Sequence, residues 1–274
     1  MSRLASCILL LFLATAVLSG CDSGGSSDET SPEVIAPTSF AVDVESFPTE
    51  ELGTAAQAGP KAGTHVAVAA ITVGTISLAV EANLLIPKAV TAAALNEDPV
   101  IENGTWIWES TTATDSSSTS FRLEGTPNGD RVEWAMLVSV DDPVNGTLLT
   151  DFQLYTGETA FDGSSGTWSL NYPMDGTPQN VLNADFSVAS DSEKSITFTV
   201  GPGAEENVGD AILYRASDDQ RSVVYTETGS GNQIDIQWDA VIKAGSIQTP
   251  DYNNGATSCW SAAPDLDNIA CPIS

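Results

Sequence analysis

The rhythm of hydrophobic and polar positions changes twice along this chain. Residues 22–39, DSGGSSDETSPEVIAPTS, have no apolar period; residues 64–95, THVAVAAITVGTISLAVEANLLIPKAVTAAAL, are apolar with few breaks. After Asn103-Gly104 the pattern becomes short alternating segments divided by turn residues, the signature of an all-β sandwich or barrel. The clearest strand is RVEWAMLVSV, which puts Val132, Trp134, Met136, Val138 and Val140 on one face and Arg131, Glu133 and Ser139 on the other. Further strands are expected in TWIWEST, SFRLEG, LLTDFQLYT, TWSLNY, VLNADFSVA, SITFTV, AILYRAS, RSVVYTET and QIDIQWDAVI, with a turn at Thr126-Pro127-Asn128-Gly129. The connections are short, so about ten strands joined by hairpins form an antiparallel meander. A sheet of that size curls or partly closes, and its concave apolar face needs a filler.

The segment from Val66 to Ile86 is the filler the sequence offers. On a helical wheel His65, Thr72, Thr75, Ala79 and Asn83 share one arc, while Val66, Val73, Val80 and Leu84 lie opposite. The polar stripe is thin and Val68 interrupts it, so the helix reads as apolar almost all round and belongs inside a larger fold. Pro87 is expected to end or kink it, with a second short helix from Lys88 to Leu95. Two alternatives stay open: a membrane span, made expensive by Glu81 and Asn83, and one or two buried strands suggested by the Val, Ile and Thr content.

The first residues, MSRLASCILLLFLATAVLSGC, place Arg3 before an apolar run from Cys7 to Leu18 and small residues before a cysteine. This is the layout of a secretory signal, too short for a permanent span. Leu18-Ser19-Gly20-Cys21 resembles the lipobox of bacterial lipoproteins, a resemblance confined to residues 1–21. It implies cleavage before Cys21, lipidation of that cysteine and attachment to a membrane of the cell envelope, on its periplasmic or cell-surface face. Each buried CH₂ contributes about 0.8 kcal/mol, so two or three acyl chains anchor a protein stably where one does not. Residues 21–39 then read as a flexible tether, with a root-mean-square span of roughly 20–25 Å. The expected organisation is a signal peptide over 1–20, the lipidated tether over 21–39 and one folded domain over 40–274. Within that domain 40–99 is a helical segment, 100–245 the meander and 246–274 a tail.

Of the four cysteines, Cys7 leaves with the signal and Cys21 is acylated, so Cys259 and Cys271 are the pair left to form a disulfide in an oxidising compartment. The loop they close lies in a Gly-, Asn- and Pro-rich tail with little strand character, which the bond would pin to the domain.

Charge narrows the partners. The chain of 274 residues has 37 acidic and 9 basic residues, a formal net charge of −28, yet 42% of it is hydrophobic. It is acidic without the composition of a disordered chain. A nucleic-acid partner is excluded, because binding one requires Lys and Arg to neutralise phosphates, and the same reasoning excludes a basic patch on an anionic membrane. The acidity is dispersed through tether, turns and outward strand positions, as on proteins of high-salt organisms.

No catalytic constellation emerges. His65 is the one histidine, placed as a capping or packing residue; there is no G-x-S-x-G elbow and no phosphate-binding G-x-x-x-x-G-K-S/T loop. Glu133, Asp151, Asp185, Asp235 and Asp239 lie on strands as solvated faces, although a glycosidase-like carboxylate pair is not excluded by composition. The acidic turns Asp141-Asp142 and Asp218-Asp219 lack the spaced Ca²⁺-loop pattern, and no cofactor or metal site is expected. Trp106, Trp108, Trp134, Trp168 and Trp238 are the candidate ligand-facing residues, since aromatics on a β face can stack on sugars or line an apolar pocket. The expectation is a lipid-anchored, non-enzymatic binding module for an apolar or glycan-like ligand or an envelope protein. A carboxylate-dependent enzyme acting on polysaccharide and a purely structural lipoprotein are the alternatives.

Overall fold

The computed structural model of the chain describes Pro32 and residues 46–48, 64–94, 98–174, 177–190, 192–263 and 265–271. The lipobox and Cys21 lie outside the described residues; Pro32, within the expected tether, is buried.

Alternation of apolar and polar residues builds the strands, and short turns force each to pair with the next. The strands are β1 (Val100–Glu102), β2 (Thr105–Ala113), β3 (Ser118–Asn128), β4 (Arg131–Asp142), β5 (Thr147–Ala160), β6 (Ser165–Met174) and β7 (Thr177–Ser190). They continue as β8 (Glu193–Val200), β9 (Ala211–Ser217), β10 (Gln220–Thr226), β11 (Gln233–Asp239), β12 (Gly245–Gln248), β13 (Ser258–Trp260) and β14 (Asn268–Ile269). All fourteen lie in one sheet in sequence order, so the fold is an antiparallel meander with β1 and β14 as its edges. The ten expected strands are all present.

Helix α1 (Thr64–Ala94) precedes the sheet. Val66, Ala69, Val73, Ile76, Val80 and Leu84 recur every three or four positions and are all buried, which selects helix over strand for this segment. Burying each Val, Ile or Leu of that stripe contributes about 1.5–3 kcal/mol relative to exposure. At 1.5 Å per residue α1 is about 46 Å long. It packs against β2 and β3 near one end of the sheet and β12, β13 and β14 at the other, so the curled sheet is bridged by the helix.

Its ends are fixed by polar contacts. The His65 N–H donates to Asn268 Oδ1 at 3.1 Å, and Asn268 Nδ2 donates to Thr64 Oγ1 at 3.1 Å, so β14 caps the helix N-terminus. Near the C-terminus, buried Thr91 shares a 2.7 Å hydrogen bond with the Tyr155 hydroxyl.

Four expectations are corrected. The helix does not stop at Pro87 but runs through it to Ala94. Leu84 before the proline belongs to the core and Thr91 after it is bonded to β5, while Lys88 reaches back to Glu81 at 2.6 Å; these contacts fasten the helix on both sides of Pro87. Nor is α1 enclosed all round: Ile71 and Leu78 are each 73% exposed. By length and composition it could cross a bilayer, yet here its opposite stripe is packed on the sheet. Pro127, expected in the turn, pairs with Val132 inside the β3–β4 ladder, so the turn begins at Gly129. Finally, the tail carries β12, β13 and β14, and β11 ends at Asp239. Asp239 Oδ1 accepts the N–H groups of Val241 and Ile242, at 2.8 and 2.9 Å, and turns the chain before they can extend the strand.

Candidate functional site

The interior divides into two joined clusters. One unites α1 with Phe186, Ile196, Phe198, Tyr214, Val223, Ile236 and Ile247; the other is built by Trp106, Trp108, Phe121, Leu123, Trp134, Met136 and their neighbours on β5 and β6. Trp168 and Leu182 touch both. The sheet's apolar face is thus covered by the chain itself.

The tryptophans proposed to face a ligand are part of that filling. Trp106, Trp108, Trp134 and Trp238 are between 1% and 5% exposed, and Trp168 is half-buried. Trp108 and Trp134 have ring centres 5.9 Å apart, Trp134 and Trp168 6.4 Å, and Trp168 meets Tyr155 edge-on at 5.1 Å. Their register explains the packing. Trp106 pairs with Gly125, Gly125 with Trp134, Trp134 with Gly157, Gly157 with Trp168, and Trp168 with Ala184. An indole therefore alternates with a residue of little or no side chain across five neighbouring strand pairs, and the Trp134 and Trp168 rings lie over Gly125 and Gly157. The same device recurs where Gly245 stands between Trp238 and Trp260. Single-strand periodicity marks each tryptophan as inward; only the cross-strand register shows that glycines make room for them.

The other faces hold two open grooves. One, of about 470 Å³, crosses β3 to β6 and is lined by Glu124, Thr126, Glu133, Ala135, Thr156, Glu158, Thr167 and Ser169, with Trp134 and Gly157 beneath. Its carboxylates have partners: Glu124 accepts from Arg122 at 2.6 Å, Glu133 from Asn128 at 2.7 Å, and Glu158 pairs with Arg131. Of its hydroxyls, Ser169 donates to Asn183 Oδ1 at 2.8 Å and Thr126 shares a bond with Thr105 at 3.0 Å, so the groove is a polar surface along the sheet in which hydroxyls and carboxylates are held in place by neighbours. Of these residues the sequence singled out Glu133 and Trp134 alone; the others are outward strand positions that become neighbours through pairing. The second groove, of about 480 Å³, lies over Gln233, Asp235, Gln248, Pro250, Asn254 and Gly255.

The remaining strand carboxylates do not gather into a site. Asp151 and Asp185 are exposed, Asp235 is in the second groove, and Asp239 caps its turn, which holds its carboxyl below the usual range through the Ile242 and Val241 N–H groups. Asp141 and Asp142, expected in a turn, are the last two residues of β4; Asp142 accepts from the side chain and backbone of Asn145 in the turn that follows, which lowers its pKa. Among the described residues no three His, Cys, Asp or Glu side chains come together as a metal-binding group.

Cys259 and Cys271 are joined, with Cα atoms 5.2 Å apart, and the loop they close contains Asn268. The bond therefore holds the residue that caps α1. His65 lies at the same place, its Nδ1 2.6 Å from the Tyr252 hydroxyl. A polar contact that the sequence did not reveal is Asp210, which is 4% exposed. It accepts the Tyr225 hydroxyl at 2.5 Å and the Thr228 N–H at 2.9 Å, and the first of these bonds above all pushes Tyr225 up to about 12.

No protein-family model, curated protein or solved structure matches this chain.

Proposed function

We propose that this chain is a lipid-anchored cell-envelope protein, a non-enzymatic binding module that takes a polar, glycan-like ligand on the outer face of its sheet. The observation that carries the reading is the groove over β3–β6, where the register lays Thr126, Glu133, Glu158 and Thr167 in one cross-strand row and Glu124, Ala135, Thr156 and Ser169 in the next, with the glutamates partnered. The packed interior argues against the apolar-ligand version, because α1 and the tryptophans occupy the face such a ligand would need. Anchoring rests on the Leu18-Ser19-Gly20-Cys21 sequence, and a Cys21→Ser chain is expected to lose fatty-acid labelling and leave the membrane fraction.

The binding test is titration of the full chain in detergent with envelope and extracellular glycans, followed by heteronuclear NMR or calorimetry. Ala135→Trp, which places a large ring in the groove, is expected to weaken binding at least 10-fold. Equal affinity for the two chains would remove the groove from the proposal. Because Glu124, Glu133 and Glu158 share this groove, the same titrations monitor hydrolysis. Turnover lost in Glu133→Gln would replace the binding reading with the polysaccharide-acting enzyme.

A further inference from the structure

Residues Ser46, Phe47 and Pro48, well before α1 in the chain, are seated at the β11–β13 end of the sheet. Phe47 is 1% exposed and Pro48 is buried. The Phe47 ring meets Trp238 edge-on with centres 5.2 Å apart, and Trp260 lies 5.9 Å away on another side. The Trp238 indole N–H donates to Ser46 Oγ at 3.0 Å, and Lys243 Nζ donates to the Ser46 carbonyl at 2.6 Å. The Lys243 backbone is fixed in turn, since its carbonyl accepts the Trp260 indole N–H at 2.7 Å. Its φ of 67° is a conformation in which a side-chain-bearing residue is strained.

These contacts amount to a recognition site. An aromatic side chain enters between two indoles, a hydroxyl is read by an indole N–H, and a main-chain carbonyl is read by an ammonium. The lysine is informative because the chain has 37 acidic residues and only 9 basic ones, and this cation is turned onto a neutral peptide carbonyl. Burying one aromatic residue between two tryptophans is also the arrangement of an interface anchor.

We infer that Trp238, Trp260 and Lys243 form a peptide clasp for a bent hydroxyl–aromatic–proline segment, with Ser46-Phe47-Pro48 as its resident strap in cis. The inference goes beyond the proposed glycan groove and does not depend on it. Residues 49–63 connect the strap to α1, so the strap competes at the effective concentration of a linked ligand, on the order of millimolar. A partner protein presenting the same chemistry must displace the strap to bind.

The test uses the full chain in detergent at 0.5 M salt, which limits repulsion of an acidic peptide, and a synthetic peptide of residues 42–52. Phe47→Ala is expected to give a folded chain with an open clasp. It binds the peptide with a saturable change in tryptophan emission, at least 10-fold more tightly than the wild-type chain does, and ignores the peptide whose phenylalanine is alanine. Absence of saturable binding to folded Phe47→Ala, or equal binding by wild type, overturns the clasp. Should that variant fail to fold, a protease site placed within residues 49–63 of the otherwise wild-type chain gives the same answer. After cleavage the N-terminal piece stays bound and is released by excess peptide 42–52. Immediate loss of the piece, or retention that the peptide cannot reverse, overturns the inference.

Discussion

The indole of Trp134 lies across the inner face of Gly125, so closely that a Cβ at residue 125 would stand 2.7 Å from its Cζ3. Gly157 is tighter still, with a Cβ 2.4 Å from Trp168 Cε3 and 2.6 Å from the Thr167 carbonyl. The alternation of indole and glycine is therefore a packing requirement of this sheet. Overpacked cores lose about 1–3 kcal/mol. Gly157→Ala is expected to lose about 3 kcal/mol, because a backbone oxygen cannot rotate away, and Gly125→Ala nearer 1–2 kcal/mol. Gly229, with open space around it, is the control, and its alanine variant is expected within about 0.5 kcal/mol of wild type. Urea unfolding measures all three; equal stabilities would show that the rings shift freely.

How much of the fold is legible in the sequence depends on whether the information is local. Val132, Trp134, Met136 and Val138 alternate in one stretch and are all buried as their spacing predicts. The Gly125–Trp134–Gly157 relation joins residues from three strands and exists only once register is set. The tail strands, of two to four residues, are too short to show a period, and they form because β11 and the disulfide loop supply partners. Pro87 reads as a stop or a kink because local backbone chemistry says so, and with packing on both sides the helix continues past it to Ala94. In the groove, Thr156 and Thr167 are ordinary outward residues of separate strands until β5 and β6 pair.

The disulfide and the helix cap are expected to act as one unit. Cys259 and Cys271 are 12 positions apart, and the chain-entropy estimate for closing such a loop is about 3 kcal/mol. Because Asn268 inside the loop bonds the His65 N–H, the double Cys→Ser variant should lose that amount and also expose the first turn of α1 to faster amide exchange. Asn268→Ala, with the disulfide intact, is expected to lose only about 1 kcal/mol. Hydrogen exchange at residues 64–68 separates the two effects; unchanged exchange in the double variant would uncouple tail and helix.

Alkaline unfolding should report the Tyr225–Asp210 bond. The hydrogen bond to Asp210, then burial, raises Tyr225 from about 10 to about 12. A raised pKa means the folded state keeps a proton that the unfolded chain releases, so this contribution is complete below pH 10 and is lost as pH rises through 12. Tyr155, raised by burial, acts in the same direction. Tyr225→Phe removes the hydroxyl and leaves Asp210 with one fewer donor, at a cost of about 1–3 kcal/mol near neutral pH. Between pH 10 and 12 its stability should fall less steeply than wild type. Parallel pH profiles for the two chains would assign the alkaline transition elsewhere.

Salt dependence tests whether the acidity is an adaptation to concentrated electrolyte. Glu109, Glu133, Asp151, Asp185, Glu193, Asp218 and Asp219 all stand exposed on strands and turns, and the chain's net charge is −28. Glu109 pairs with Arg122, which also serves Glu124. Like charges spread over a compact surface repel, and the repulsion is relieved by unfolding. The screening length shrinks from about 10 Å at 0.1 M salt to about 3 Å at 1 M, which removes most of it between exposed groups. We therefore expect the melting temperature to rise steadily from low to molar KCl, with KCl and NaCl acting alike because screening does not distinguish them. Replacing Glu133, Asp151 and Asp185 together by the corresponding amides should raise stability at low salt and flatten the dependence. A melting temperature indifferent to salt in the wild-type chain would count against this reading of the surface.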